Sequence, residues 1–105
     1  MMADQANPHR GEAVLVIAGQ PLVLRPTFGA LVAAEEELGP LFALVERASA
    51  GQLRLGEMVA LFWHCLRERT GLERADFGDA VAREGLAACT PPLRALIVQI
   101  LKGGR

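Results

Sequence analysis

Residues 12–25 read EAVLVIAGQPLVLR, with short runs of Val, Ile and Leu on either side of Gly19-Gln20. Two apolar runs separated by two residues of this kind predict a β-hairpin that turns at Gly19-Gln20. Pro21 follows directly and lacks the N–H that a central strand would donate, so it fits only a strand start or a sheet edge. The sequence therefore predicts an N-terminal two-stranded hairpin.

Both faces of this predicted hairpin are apolar. Alternation along the first strand places one set of side chains, Ala13, Leu15 and Ile17, on one face and Val14 and Val16 on the other. A two-stranded hairpin is marginally stable alone in water, so one face should pack on helices. The other face needs a separate cover such as a second chain. Val14 and Val16 are therefore candidate protein-binding residues, and weak self-association is expected.

Beyond the hairpin, apolar residues recur at helical spacing and predict about five short helices. Their ranges are 28–38 after an N-cap at Thr27, 41–50, 55–69, 73–84, and a last helix that begins near an N-cap at Thr90. The first helix is expected to bury a stripe that includes Phe28. The predicted fold class is mainly α (α+β), with the hairpin followed by helices around a central apolar helix.

The helix predicted at 55–69 is the candidate for that central position. Most of its surface is apolar, and only a few of its residues, among them Ala60 and His64, are expected to face outward. A helix that is hydrophobic nearly all round should lie inside the domain.

Length and composition predict one small globular domain. The chain has 105 residues, of which 51% are hydrophobic and 22% charged, so it should fold. Residues 1–10 (MMADQANPHR) are polar and predict a mobile arm ahead of a single domain at 11–105. The net charge is −1 and the eleven Lys and Arg are dispersed, whereas a nucleic-acid partner would require a basic patch.

The sequence also predicts a cytoplasmic location with no membrane partner. The first residues lack the charged and apolar regions of a secretory signal, and the apolar runs are too short to cross a bilayer. Cys65 and Cys89 do not form a CxxC pair, so they are interpreted as reduced, partly buried thiols.

An acidic run, Glu35, Glu36 and Glu37, ends the first predicted helix. Negative charge is unfavourable at a helix C-terminus, so a local rule is broken there. The ordinary explanation is a solvated face. The more specific hypothesis is a charged docking patch for a basic partner helix, which makes these three residues candidate protein-binding residues.

No set of residues predicts catalysis, a metal site or a cofactor. His64 and Cys65 are adjacent, and consecutive helical residues point about 100° apart, so they do not converge on one atom. Zinc requires four converging ligands, and the chain has two His and two Cys in all. Ser49 is the only serine and lacks a GxSxG context, and no phosphate-binding glycine motif is present.

Several segments together resemble a family of gene transfer agent and prophage tail proteins. These are the opening Asn7-Pro8-His9-Arg10-Gly11-Glu12, the hairpin AVLVIAGQPLVLRPTFGAL, the acidic helix that ends at Leu38-Gly39, and the helix LGEMVALF at 55–62. The resemblance extends from Asn7 to about Lys102 and rests on the order of these modest motifs. It implies a role in building the tail of a phage-like particle.

The resemblance implies either a tail assembly chaperone or a tail tube component. A chaperone of this kind binds the tape measure protein and keeps its hydrophobic helices soluble while tube subunits polymerise around it. The small number of predicted strands favours the chaperone, because tube subunits build a continuous sheet between subunits. The hairpin face, the acidic run and the amphipathic last helix are the surfaces proposed for the client.

Three alternatives remain at this point. The protein could be a tube or tail-completion subunit retained in the particle, an unrelated small helical regulator that binds proteins, or an enzyme. The last would require a pocket with converging polar groups, for which the sequence offers no candidates.

Overall fold

A computed structural model describes residues 12–103 and contains a two-stranded antiparallel hairpin followed by five helices. The elements are β1 (Ala13–Ile17), β2 (Gln20–Leu24), α1 (Phe28–Leu38), α2 (Leu41–Ser49), α3 (Leu55–Cys65), α4 (Arg74–Glu84) and α5 (Leu86–Lys102). The predicted mainly α (α+β) architecture is confirmed. The arm predicted at 1–10 lies outside the described residues.

The hairpin turns one residue earlier than predicted. Ala18 and Gly19 occupy the turn with φ of 52° and 77°, and Gln20 already pairs with Ile17. Two consecutive positive φ angles are typical of the two-residue turn whose twist matches that of the flanking strands. The turn predicted at Gly19-Gln20 is thus displaced by one residue, because Ala18 adopts a left-handed conformation that residues other than glycine rarely adopt.

The alternation predicted for β1 is confirmed. Ala13, Leu15 and Ile17 are buried against the helices, whereas Val14 and Val16 are exposed. Among the helices, α5 and α4 make the most extensive contacts with β1, and they supply packing that a lone hairpin lacks.

The central helix ends earlier than predicted because its continuation joins the sheet. α3 stops at Cys65, not Arg69, and the chain then runs alongside β2. The Arg25 N–H donates to the Cys65 carbonyl (2.6 Å), and the Arg67 N–H donates to the Val23 carbonyl (2.9 Å). Residues 65–67, named here the closing segment, therefore protect the edge of β2.

α3 is at the centre of the core, as predicted. Phe62 and Leu61 are fully buried, and they share one apolar cluster with residues of β1, β2 and the other four helices. Ala60, predicted to face outward, is also fully buried. The side of α3 that carries Ala60 is therefore covered too, which the sequence pattern did not indicate.

α1 begins as predicted but orients differently. The Thr27 hydroxyl oxygen accepts a hydrogen bond from the Ala30 N–H (3.1 Å), which confirms the N-cap. Phe28, expected in the buried stripe, is instead 85% exposed, and Ala34 is the fully buried residue of this helix. The face of α1 that packs inward therefore contains Ala34 and does not include Phe28, the first residue of the helix.

α5 starts at Leu86, so the predicted N-cap at Thr90 was wrong. Thr90 lies inside the helix, where its hydroxyl donates to the Leu86 carbonyl (2.9 Å). Pro91 and Pro92 are the sixth and seventh residues of α5. Prolines are usually tolerated only in the first turn, so their position in the sequence favoured a later start.

Candidate protein-binding surfaces

The first of the three acidic residues caps the next helix. Leu41 is the first residue of α2, and its N–H donates a hydrogen bond to the Glu35 carboxylate (2.9 Å). Only Gly39 and Pro40 separate α1 from α2, so the C-terminus of one helix lies beside the N-terminus of the other. A carboxylate at a helix N-terminus satisfies an unpaired donor and interacts favourably with the dipole. The broken rule at the end of α1 thus has a structural reason.

Glu37 joins three helices. One carboxylate oxygen lies 2.8 Å from His64 Nε2 on α3, and the other accepts from the Arg74 guanidinium on α4. These contacts, with Arg74 the stronger, lower the pKa of Glu37 to about 2. Because the carboxylate accepts, His64 holds its proton on Nε2.

Glu36 points in a different direction from its two neighbours. It is exposed and has no hydrogen-bond or ion-pair partner among residues 12–103. The three carboxylates therefore do not converge on one point. The sequence predicted a docking patch of three acidic residues. Among them, Glu36 is the one whose carboxylate faces only solvent.

The outer face of the hairpin is open along β1 and at Pro21 of β2, and it closes at Val23. Val14 and Val16 are 39% and 51% exposed, whereas Val23, which pairs with Val14, is buried. The two predicted protein-binding valines therefore lie next to each other on an accessible strip of the molecule.

The backbone of β1 is open along the same strip. Val23 directs its carbonyl toward the closing segment, away from β1. In an antiparallel ladder, the N–H and C=O groups of two paired residues point either toward each other or away from each other. Val14 pairs with Val23, so its backbone groups also point away from β2, and those of Val16, two residues further on, do the same. Within residues 12–103 these outward groups have no hydrogen-bond partner. At the turn, the Ala18 N–H donates to the Glu84 carboxylate (2.6 Å), which closes that end of the edge.

A groove of about 590 Å³ lies between α5 and the segment that joins α2 to α3, and it is named here the α5 groove. Leu86, Leu93 and Leu101 line it from α5, and Leu55 and Met58 line the opposite wall. Leu86 and Leu101 are 58% and 64% exposed. The sequence predicted an amphipathic last helix, but the groove was missed, because α5 was expected to start after Leu86.

Two phenylalanines add isolated apolar surface. Phe28 and Phe42 are 85% and 87% exposed, at the first turns of α1 and α2. Phe42 was not singled out in the sequence. Leu41 is half-buried and Leu44 and Val45 are buried, so the helical spacing of these three residues turns Phe42 outward and was the available signal.

The cysteines and histidine of the described region have structural contacts. Cys65 is fully buried, and burial raises the pKa of its thiol to about 12. The Cys89 thiol points to the Val81 carbonyl inside the protein. Residues 12–103 contain no group of three or more His, Cys, Asp or Glu placed to hold a metal ion. Within the same span, no helix has the length and apolarity needed to traverse a bilayer.

Comparison with known proteins gives one family. The family model described as "Phage tail tube protein, GTA-gp10" matches residues 10–103. Searches of curated proteins and of solved structures returned no significant match.

Proposed function

Because the chain belongs to the phage tail tube protein, GTA-gp10, family, we propose that it helps to assemble a phage-like tail as a chaperone of the tape measure protein. It works by binding other tail proteins, without catalysis. It acts in the cytoplasm, before the particle is complete.

The low β-strand content is the observation that favours a chaperone over a tube subunit. The described residues contain two strands of five residues each, extended on one side by the closing segment. A tube wall is a continuous sheet shared between subunits, and closing such a sheet requires several long strands from each. Most of this chain is instead helical and packed around α3.

Exposed apolar surface supports a client-binding role. Val14, Val16, Phe28 and Phe42 are all accessible, and the α5 groove adds a larger concave surface. A protein that keeps hydrophobic helices soluble must offer them apolar surface while remaining soluble itself. Away from the α5 groove, the exposed Glu36 of α1 offers a negative charge for basic residues of a client.

Co-expression with the tape measure protein of the same tail gene cluster tests this proposal. We expect the tape measure protein to move from the insoluble to the soluble fraction and to co-purify with this chain. Val14→Asp with Val16→Asp should weaken that effect, and Glu36→Lys should weaken it less. Matched controls at exposed positions are Ala82→Asp and Glu46→Lys. A tape measure protein that gains nothing from co-expression contradicts the chaperone proposal.

The second candidate function is a tube or tail-completion subunit that stays in the particle. The name of the family and the open edge of β1 favour it. Quantitative mass spectrometry of purified particles separates the two functions. A chaperone is absent or far below the copy number of the tube protein, whereas a tube subunit is present in many copies. Family membership leaves the interpretation as an unrelated regulator without support.

Self-association through the edge of β1 belongs to the same proposal. Two copies of β1 that meet antiparallel can exchange hydrogen bonds between Val14 of one and Val16 of the other, and Ala13–Ile17 carries no charge that would oppose this. Val16→Pro removes one outward N–H while the bonds to β2 remain, because proline is tolerated at a strand edge. In sedimentation velocity we expect the wild type and Val16→Thr to associate weakly and Val16→Pro to stay monomeric. A wild type that is monomeric at high concentration contradicts this part.

A further inference from the structure

The α5 groove has the length of a short helix. Leu86, Leu93 and Leu101 all line it, so it follows α5 almost from end to end. Leu86 and Leu101 are fifteen positions apart, which at 1.5 Å per residue is about 22 Å, or roughly four helical turns. An occupant of similar length would contact apolar surface along its whole face.

The helical walls of the groove offer little backbone for strand pairing. In α5 and at the start of α3 the backbone groups are bonded within the helix, apart from the helix ends and the carbonyls of Ala87 and Ala88, which face Pro91 and Pro92. An extended peptide placed there would bury N–H and C=O groups without partners, at a cost of about 1–3 kcal/mol each. A helix satisfies its own backbone, so the occupant that fits is helical.

Positive charge predominates around the groove, and Arg94 is the one charged residue among those that line it. Arg94 lines it, Lys102 directly follows Leu101, and Arg54 directly precedes Leu55. Neither α5 nor residues 48–55 contain an Asp or Glu. The nearest acidic residue of α3, Glu57, is neutralised by Arg47 at 2.6 Å. An occupant with acidic residues beside its apolar stripe is therefore favoured.

We propose that the α5 groove binds an amphipathic helix of a partner protein, with an apolar stripe at i, i+3, i+4 and i+7 and acidic residues along its flanks. A second copy of α5 is a poor occupant, because its own Arg94 and Lys102 would face the same residues across the groove. The chemistry of the occupant stands on the groove alone. Its identification as a segment of a tail protein rests on the proposed function.

Designed peptides test the chemistry without any tail protein. The probe is a fluorescein-labelled helical peptide of about 18 residues with a leucine stripe and glutamate flanks. Its counterpart has the same stripe with lysine flanks, and a third peptide has a scrambled stripe. By anisotropy with the full chain at low salt, we expect the glutamate peptide to bind about tenfold more tightly than the lysine peptide. This ratio should shrink at 0.5 M salt, and the scrambled peptide should not bind.

Substitutions in the α5 groove then test whether the peptide binds there. Leu86→Ser and Leu101→Ser, both at exposed positions, should weaken binding of the glutamate peptide about tenfold, and Arg94→Glu should reverse the charge preference. Ala82→Ser is the control, since Ala82 is exposed and lies outside the groove. Circular dichroism confirms that each variant is folded.

Equal affinity for the two charged peptides, or binding unaffected by Leu86→Ser and Leu101→Ser, overturns the proposal. The outcome is independent of the chaperone proposal. If the peptides bind in the groove but the tape measure protein does not associate with this chain, the proposed function fails and the groove proposal stands. If the tape measure protein still binds to the Leu86→Ser, Leu101→Ser double variant, the chaperone proposal stands, and the groove is not the site for that client.

Discussion

The two edges of the hairpin differ although both belong to strands of five residues. The closing segment covers β2 with two backbone hydrogen bonds, and Pro21 removes one further N–H from that edge. β1 keeps the outward backbone groups of Val14 and Val16 and has neither a proline nor a charged residue. Natural sheets protect edges that must not pair with other chains, and in this hairpin that protection is confined to β2.

The largest effect expected is on the closed side, from Leu24→Ala. Leu24 is fully buried beside the closing segment, and removing its side chain leaves a cavity in a packed core. We expect the free energy of unfolding to fall by about 2–5 kcal/mol. Urea denaturation followed by circular dichroism measures it. A loss below about 1 kcal/mol would show that this edge is not part of the cooperative core.

Arg67→Pro tests the closing segment itself. It removes the N–H that donates to the Val23 carbonyl, while Leu66 already has the extended backbone (φ −59°, ψ 125°) that a following proline requires. We expect a loss of about 1–3 kcal/mol, from the hydrogen bond and the carbonyl left unpaired. Arg67→Ala, which keeps the N–H, is the control for the side chain and should cost clearly less. Equal losses would mean that the backbone bond contributes nothing.

Glu37→Gln tests how the closing segment is held in place, because Glu37 binds His64, the residue just before it. The pKa of Glu37 in the folded protein, about 2, is below its usual value of 4.5. Its contribution to stability is therefore present above pH 4.5 and is lost as the pH falls toward 2. Since the pair is partly exposed, we expect about 1 kcal/mol or less. Urea midpoints between pH 2 and 6 should depend less on pH in the variant, and Glu36→Gln should resemble the wild type.

The smallest effect on stability is expected on the open side. Val14→Thr and Val16→Thr replace exposed valines with residues of similar shape and strand preference, so unfolding should change by less than about 0.5 kcal/mol. Thermal melts measure this. A loss near that of Leu24→Ala would show that the outer face of β1 is already covered within the molecule.

The parts of the fold that local pattern determines were predictable from the sequence. Alternation along β1 and the Thr27 N-cap of α1 are confirmed because each depends on residues close in the chain. The end of α3 was not predictable, since it is set by pairing with β2, far away in sequence. The start of α5 was missed because its two prolines normally mark a first turn.

The candidate site was predictable only in part, for a similar reason. The exposure of Val14 and Val16 follows from alternation and is confirmed. The roles of Glu35 and Glu37 depend on α2, α3 and α4 lying beside the end of α1, which no local pattern indicates. The α5 groove likewise exists only once two distant segments are brought together.

The prolines of α5 have a consequence for motion. Without an N–H on Pro91 and Pro92, the carbonyls of Ala87 and Ala88 lack their helical donors, so fewer bonds join the first turn to the rest of α5. Regions with fewer hydrogen bonds open locally at a lower free energy than the core. Leu86 is carried by that first turn, whereas Leu101 is carried by the regular part of the helix. We therefore expect the end of the groove at Leu86 to open locally at a lower free energy than the end at Leu101.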